Sequence, residues 1–369
     1  MNPKVLEEIA EEQLQRAKGS PDRDSRLEVA LLLMDRAIKI EPKDHGHLCF
    51  RGIIQYCRKD FVSAVSDLSA AIELDPKCDQ SYDYRGRAYY ELKQYEKTIE
   101  DTTRAIQLGT KDHNTFNFRG LAHHFPGRDS EAVQDFSAAL EVEPNNAVLY
   151  YNRGSSNELL KKGEEAIADF TRAIELNPKN YKPYYRRGLL LLQAGKEKEA
   201  MEDFTEVASF KLEEQEGISI RNDALGFLGR WDEAISEQKR IAEMQPNSVV
   251  AWNNLGYYLK MAGKYNDAIQ ALTTAINLDP GDISPYSHRG DCFRLQRNPE
   301  KAKADYYRAI QLFLGKEHKE VSDYKPAIRS EEGLRRMGLW NSHPIEQEAL
   351  KKGIIPEMQL AVWFRYETK

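Results

Sequence analysis

AVLYYNRGSSNELLKKGEEAIADFTRAIELNPKN, residues 147–180, decides the fold. Numbered 1 to 34, it places Tyr150, Gly154 and Asn157 at positions 4, 8 and 11, on one face of a helix. Ala166, Phe170, Ala173 and Ile174 fall at 20, 24, 27 and 28, one face of a second helix. Gly163 marks the turn between them, and Pro178 at position 32 stops the second helix. The small residues at 8, 20 and 27 let the two helices approach closely. A large side chain there overpacks the contact, at roughly 1–3 kcal/mol.

The same ruler runs through the chain. Gly52, Gly86, Gly120, Gly154, Gly188, Gly256 and Gly290 occupy position 8, and Pro42, Pro76, Pro144, Pro178, Pro246 and Pro280 occupy position 32. Every gap in either series is 34 or 68 residues. A register kept this long predicts stacked copies of one small unit, each in contact with its neighbours only. Position 20 is Ala64, Ala132, Ala166, Ala200, Ala234, Ala268 and Ala302, with Thr98 the exception, and position 4 is large throughout, from Leu48 and Tyr82 to Trp252 and Tyr286.

Large at 4, Gly at 8, Ala at 20, aromatic at 24, Ala at 27 and Pro at 32 resembles the tetratricopeptide repeat. The resemblance implies an all-α, right-handed α-solenoid of tandem helix-turn-helix units. Eight units are expected at 45–78, 79–112, 113–146, 147–180, 181–214, 215–248 (degenerate), 249–282 and 283–316. A divergent unit at 1–44 precedes them, with Ala30, Ala37 and Pro42 in register. Residues 317–369 leave the pattern and are expected to cap the array. In that segment Val321 to Trp340 is expected to form one or two short helices, with Ser330-Glu331-Glu332 as a helix start and Leu334, Met337, Leu339 and Trp340 packing on the preceding unit. Trp363, Phe364 and Tyr366 lie in the tail. Docking of the tail into the protein's own groove or into a partner is the alternative to capping.

Position 32 departs from proline at Thr110, Leu212 and Leu314. Gly109 and Gly315 can break two of those helices. Nothing breaks the chain near Leu212, and Asn222 replaces the expected glycine, so an irregular joint or a helix of unusual length is expected between Phe210 and Ala224.

Position 7 is Arg51, Arg85, Arg119, Arg153, Arg187, Arg221 and Arg289, and position 23 in the same units is Asp67, Asp101, Asp135, Asp169, Asp203, Glu237 and Asp305. The remaining unit has Leu255 and Ala271. Charge is present at both positions or at neither, so a contact between the two helices is expected, an Arg–carboxylate pair such as Arg153–Asp169.

In the repeat family the first helices line a concave groove. Positions 2, 5, 9 and 12 then face it, carrying Tyr56, Tyr90, Tyr151, Tyr185 and Tyr257 among Asp83, Arg87, Asn117, Glu158, Lys182, Asp223, Asn253, Lys260, Asp291 and Arg294. A tyrosine-lined groove of mixed charge suits an extended peptide or a helix. The candidate site is Tyr90, Asn117, Tyr151, Asn152, Lys182, Tyr185 and Arg186. Asn152, Lys182 and Arg186 also match three of the five positions with which chaperone adaptors of the family clamp a C-terminal carboxylate. Asn117 and Leu121 stand where the other two, a Lys and an Asn, belong. A reduced anion site of that kind, or assembly through the convex face, are the alternatives.

Composition agrees with a protein-binding role. The net charge is −6, which gives no basic field to collect nucleic acid, and no apolar run is long enough to span a membrane. The Glu-rich N-terminus does not read as a secretory signal. Cys49, Cys57, Cys78 and Cys292 form no CxxC pair, which is read as reduced thiols in a cytoplasmic protein, Cys49 and Cys57 near one helix face. Phosphate-loop, zinc-protease and serine-elbow patterns are missing, and adjacent His123 and His124 diverge on a helix, so no catalytic residue, cofactor or metal is expected. The expected function is a non-enzymatic adaptor for a protein or peptide partner. Partner identity and oligomeric state are not legible.

Overall fold

The structure is a computed structural model that describes residues 2–316, 319, 321–339, 345 and 347. Trp340, Trp363, Phe364 and Tyr366 lie outside the described residues. Among those described are nineteen α-helices and no strand, an all-α helical-repeat fold. The chain divides into two compact units, Met1–Pro183 and Tyr184–Lys369.

The first unit holds α1 (Pro3–Ala17), α2 (Arg23–Ile40), α3 (His45–Cys57), α4 (Phe61–Leu74), α5 (Asp79–Glu91), α6 (Tyr95–Leu108), α7 (His113–His124), α8 (Asp129–Val142), α9 (Ala147–Leu159) and α10 (Gly163–Leu176). Each odd-numbered helix pairs with the next to form a hairpin, and each hairpin packs on its neighbour. First helices also touch along the array, α3 with α5, α5 with α7 and α7 with α9. α11 (Tyr181–Gln193) begins in the first unit and continues in the second. The second unit adds α12 (Glu197–Ser209), α13 (Gln215–Phe227), α14 (Trp231–Met244), α15 (Val249–Met261), α16 (Tyr265–Leu278), α17 (Ile283–Leu295), α18 (Pro299–Gly315) and α19 (Val321–Arg336).

The packing explains the glycine series. A Cβ on Gly154 would lie 2.9 Å from the Phe170 ring, and one on Gly256 would lie 2.4 Å from Leu272. Position 8 is thus the seat for the large side chain at position 24 of the partner helix. In the degenerate hairpin Asn222 takes the seat and Gln238 replaces the large apolar residue, both buried. The Gln238 amide donates to the Ala251 carbonyl at 3.1 Å, whereas neither amide atom of Asn222 has a hydrogen-bond partner among the described residues.

The hairpin turn sits two residues earlier than the sequence reading placed it. Gly163 is the first residue of α10, with nothing within 4 Å of an added Cβ. The left-handed residue is position 15, which is Gly127, Gly195, Gly229 or Gly263 in four units and Lys59, Lys93, Lys161 or Arg297 in the others. The joint after α12 holds two helices of 13 residues, so the expectation of an unusually long helix there is corrected. The joint is irregular instead: Phe210 leaves α12 extended, at φ −68° and ψ 136°, and Leu212 packs beside Ile218 and Ile241. The longest described helix of the second unit is α18, with 17 residues. Gly315 is its last helical residue and does not break it, whereas Gly109 caps α6 with φ 109°.

The C-terminal reading also needs correction. The expected helical segment is a single helix, α19, from Val321, so Ser330 and Glu331 lie inside it and not at a start, both fully buried. Leu334 joins Tyr306 and Phe313 in a buried cluster with Met337 against it, but Leu339 is exposed.

Candidate functional site

The Arg and acidic residues at positions 7 and 23 meet in seven hairpins. Arg153 Nη2 lies 2.7 Å from Asp169 Oδ1, with Nε 3.0 Å from Oδ2. The matching distances are 2.6 Å for Arg51–Asp67, 2.7 Å for Arg85–Asp101, 2.5 Å for Arg119–Asp135, 2.6 Å for Arg187–Asp203, 3.1 Å for Arg221–Glu237 and 2.8 Å for Arg289–Asp305. In the exceptional unit Leu255 and Ala271 join one apolar cluster. The guanidinium has a third partner that the sequence reading missed. Nη1 donates backwards to a side chain in the second helix of the preceding unit: Asp35 from Arg51, Ser69 from Arg85, Thr103 from Arg119, Ser137 from Arg153 and Thr273 from Arg289. Each of these five arginines thus ties two repeats together. A hydroxyl or carboxylate at position 25 was the available signal.

On the first-helix face, much of the expected groove chemistry is spent on neighbouring helices. Asp83 and Arg87 are buried and paired with each other. Arg87 also reaches Asp112 at 2.6 Å, and Thr115 Oγ1 donates to Asp83 at 2.7 Å. These two residues are therefore internal ties and not open groove groups. The Asn152 side-chain amide donates to Asn117 Oδ1 at 3.0 Å, which brings two of the candidate residues together. Tyr90 sits in an aromatic group, its ring centroid 5.3 Å from Phe118 and 5.8 Å from Tyr95. Phe125 stacks on Tyr95 at 5.1 Å and is exposed. Tyr151 is half-buried against Phe170. Lys182 is half-buried at the start of α11.

In the second unit Tyr185 and Arg186 are half-buried. The Tyr185 hydroxyl donates to Asp223 Oδ2 and the Tyr258 hydroxyl to Asp223 Oδ1, each at 3.4 Å. Burial pushes the Asp223 carboxyl up to about 6. The Lys325 charge and the two hydroxyls oppose that shift. Next along the face, Lys260 Nζ lies 3.0 Å from Asp291 Oδ2 and the Tyr306 hydroxyl donates to Asp291 Oδ1 at 2.7 Å. Burial, reinforced by nearby cations, holds His288 well below its ordinary value, so the ring is neutral. Its Nδ1–H donates to Asn253 Oδ1 at 3.2 Å.

The residues set aside at the sequence level are structural in their contacts. His124 Nδ1 lies 2.6 Å from Asp129 and 2.9 Å from Ser156, while His123 is half-buried near Asp135. Cys49 is a free thiol that hydrogen-bonds to the free thiol of Cys78. Its thiol hydrogen bond lowers Cys78, which also accepts from the Ser81 hydroxyl at 3.1 Å. Glu41, Asp44 and His47 bring ligand-type atoms within 4.8 Å of one another, but Asp44 Oδ1 is engaged by the Gly46 and His47 amides as the cap of α3. No described helix is long and apolar enough to cross a membrane.

Family comparison agrees with this geometry. Tetratricopeptide repeat models match residues 147–180, and 170–202 with 238–270. The chain is a tetratricopeptide repeat protein. No curated protein matches the sequence. Similar solved structures include PilF of Pseudomonas aeruginosa, at 16% identity and a TM-score of 0.49 over 58% of this chain and 96% of that one. YrrB, described as a tetratricopeptide repeat protein with an unusual peptide-binding site, aligns at 17% identity and 0.45 over 53% and 96%. A repeat protein of Parabacteroides merdae aligns at 18% and 0.44 over 78% and 98%. The repeats make the chain a protein-interaction scaffold of the kind this fold generally provides.

Proposed function

We propose that the chain is a cytoplasmic adaptor whose first-helix faces bind peptide segments or helices of partner proteins. The eight units of 45–316 would form the binding array, with 1–44 and 317–369 as its ends. In the first unit the reading face would be Tyr90, Asn117, Tyr151, Asn152 and Lys182, and in the second Tyr185 and Arg186. The observation that carries this is the alignment of first helices side by side with half-buried tyrosines and amides between them. Tyrosine offers stiff, amphipathic contact area at small entropic cost, which is why interfaces favour it. The ladder of Arg–carboxylate ties lies between the helices of each unit, so it would hold the face pre-formed and lower the cost of binding.

The test is affinity capture from native lysate with three full-length variants. One carries Tyr151→Ala with Lys182→Ala, one Tyr185→Ala with Arg186→Ala, and one Glu164→Ala with Glu165→Ala on the exposed side of α10. The expected result is loss of the same partner from one or both face variants and its retention by the third. Retention by both face variants overturns the reading.

A further inference from the structure

α19 has two working faces. Tyr324, Ala327, Ile328 and Leu334 are buried in the cluster with Tyr306 and Phe313, which closes the end of the array. Lys325, Arg329 and Gly333 form a separate stripe at i, i+4 and i+8. Arg329 of that stripe lies against the first helix α17, whereas Gly333 sits on Tyr306 of α18. A Cβ on Gly333 would stand 2.3 Å from the Tyr306 ring, so only glycine lets the helix sit down there. Arg329 is buried, with its Nη1 on His288 Nε2 and its Nε 3.8 Å from Asp291 Oδ2. Lys325 is exposed, and its charge acts on Asp223. Arg329 thus meets the Asp291 carboxylate on α17, and one turn away the Lys325 charge acts on the Asp223 carboxylate on α13, with Tyr185, Tyr258 and Tyr306 hydroxyls bonded to those carboxylates. Lys260 and Arg294 also face Asp291, the latter at 3.9 Å.

A purely capping helix needs its apolar face alone. This one adds a buried guanidinium to a face made for binding. It also carries Pro326 inside the helix, a residue that costs roughly 3 kcal/mol in a helix interior and weakens α19 against release. We propose that the first-helix face of the second unit, centred on Asp223, His288 and Asp291, is a receptor for a helix bearing two basic residues one turn apart. α19 occupies it in cis through Lys325 and Arg329, and a basic helix of a partner protein displaces it. The proposal rests on reading the first-helix faces as binding surfaces and adds the ligand class and the competing segment. Its failure leaves the first unit's face untouched, because none of its residues belongs to that unit.

The test uses the full chain and a labelled synthetic peptide of Val321–Arg336, with a second peptide carrying norleucine at the two basic positions 325 and 329. Gly333→Val pushes α19 off Tyr306 while leaving every charged residue in place. The expected result is that this variant binds the basic peptide roughly ten-fold more tightly than wild type, and that norleucine or Asp223→Asn removes the gain. Equal binding by wild type and variant, or equal binding of the two peptides, overturns the proposal. Should Gly333→Val fail to fold, Lys325→Met in the wild-type background gives the answer by hydrogen exchange. α19 amides are expected to exchange roughly ten-fold faster with α5 to α9 unchanged, and unchanged α19 rates overturn it.

Discussion

Removing one partner of the Arg153–Asp169 pair should cost unequal amounts, and removing both should cost less than the worse single change. Asp169 is 7% exposed and Arg153 26%. Arg153→Ala leaves a buried carboxylate with only the Asn157 amide, at 3.1 Å, to satisfy it. The cost belongs near the range for an abandoned buried charge, about 3–5 kcal/mol. Asp169→Ala leaves a guanidinium that can turn to water and keeps its bond to Ser137, at 3.2 Å. That change should cost about 1–3 kcal/mol, the scale of a lost charged hydrogen bond. Arg153→Leu with Asp169→Ala copies the Leu255 and Ala271 that the chain already uses in one unit. The double change should fall below Arg153→Ala by more than about 1 kcal/mol, the scale of coupling between contacting residues. A repeat array need not unfold in one step, so the assay is hydrogen exchange of the α9 and α10 amides in each variant. Equal single costs that add in the double variant would refute the argument.

Asn222→Ala should stabilise α13 by about 1–3 kcal/mol, because it deletes a buried amide that has no partner and adds no atom, as amide exchange of α13 would register. Lys161→Gly should raise stability by about 1 kcal/mol through relief of a φ of 60°, seen as an upward shift of the urea midpoint; Lys162→Gly is the control expected to lower it. Asp223 gives a pH signature. Its folded-state value of about 6 lies above the ordinary 3.8, so the folded state holds the proton more tightly and this group's contribution falls as pH rises through that window. The full loss is about 3 kcal/mol by linkage and is complete above pH ~6.5; Tyr185, Tyr258 and Lys325 are the groups facing it. Asp223→Asn should flatten α13 exchange stability between about pH 4 and 6.5, and an unchanged slope would contradict the assignment.

The register was legible because packing repeats it: six of the seven glycines at position 8 have a large side chain lying on them and Gly86 has Thr102, so drift in either is punished in every copy. The Arg–carboxylate pairing was legible for a related reason, since seven copies carry both charges and one carries neither. Other features had no such internal control. The ties between neighbouring first helices, Asn117 to Asn152 and Asn253 to His288, each span 35 residues and use different residue types, so no column of the repeat reveals them. The turn was misplaced because Lys and Arg fill the left-handed position in half the units, and glycine elsewhere drew the eye. Whether the segment from Val321 forms one helix or two was not legible, because tertiary burial of Tyr324, Ala327 and Ile328 is what holds α19 through Pro326.

These points converge on faces built from first helices and held by internal ties, one of which α19 is proposed to occupy. The most direct measurement is a hydrogen-exchange footprint of the full chain with and without its captured partner. The account predicts slowed exchange on first helices, among α5, α7, α9, α13, α15 and α17, and faster exchange in α19 where the second unit is engaged. Slowing confined to the second helices, such as α6, α8 and α10, would contradict it.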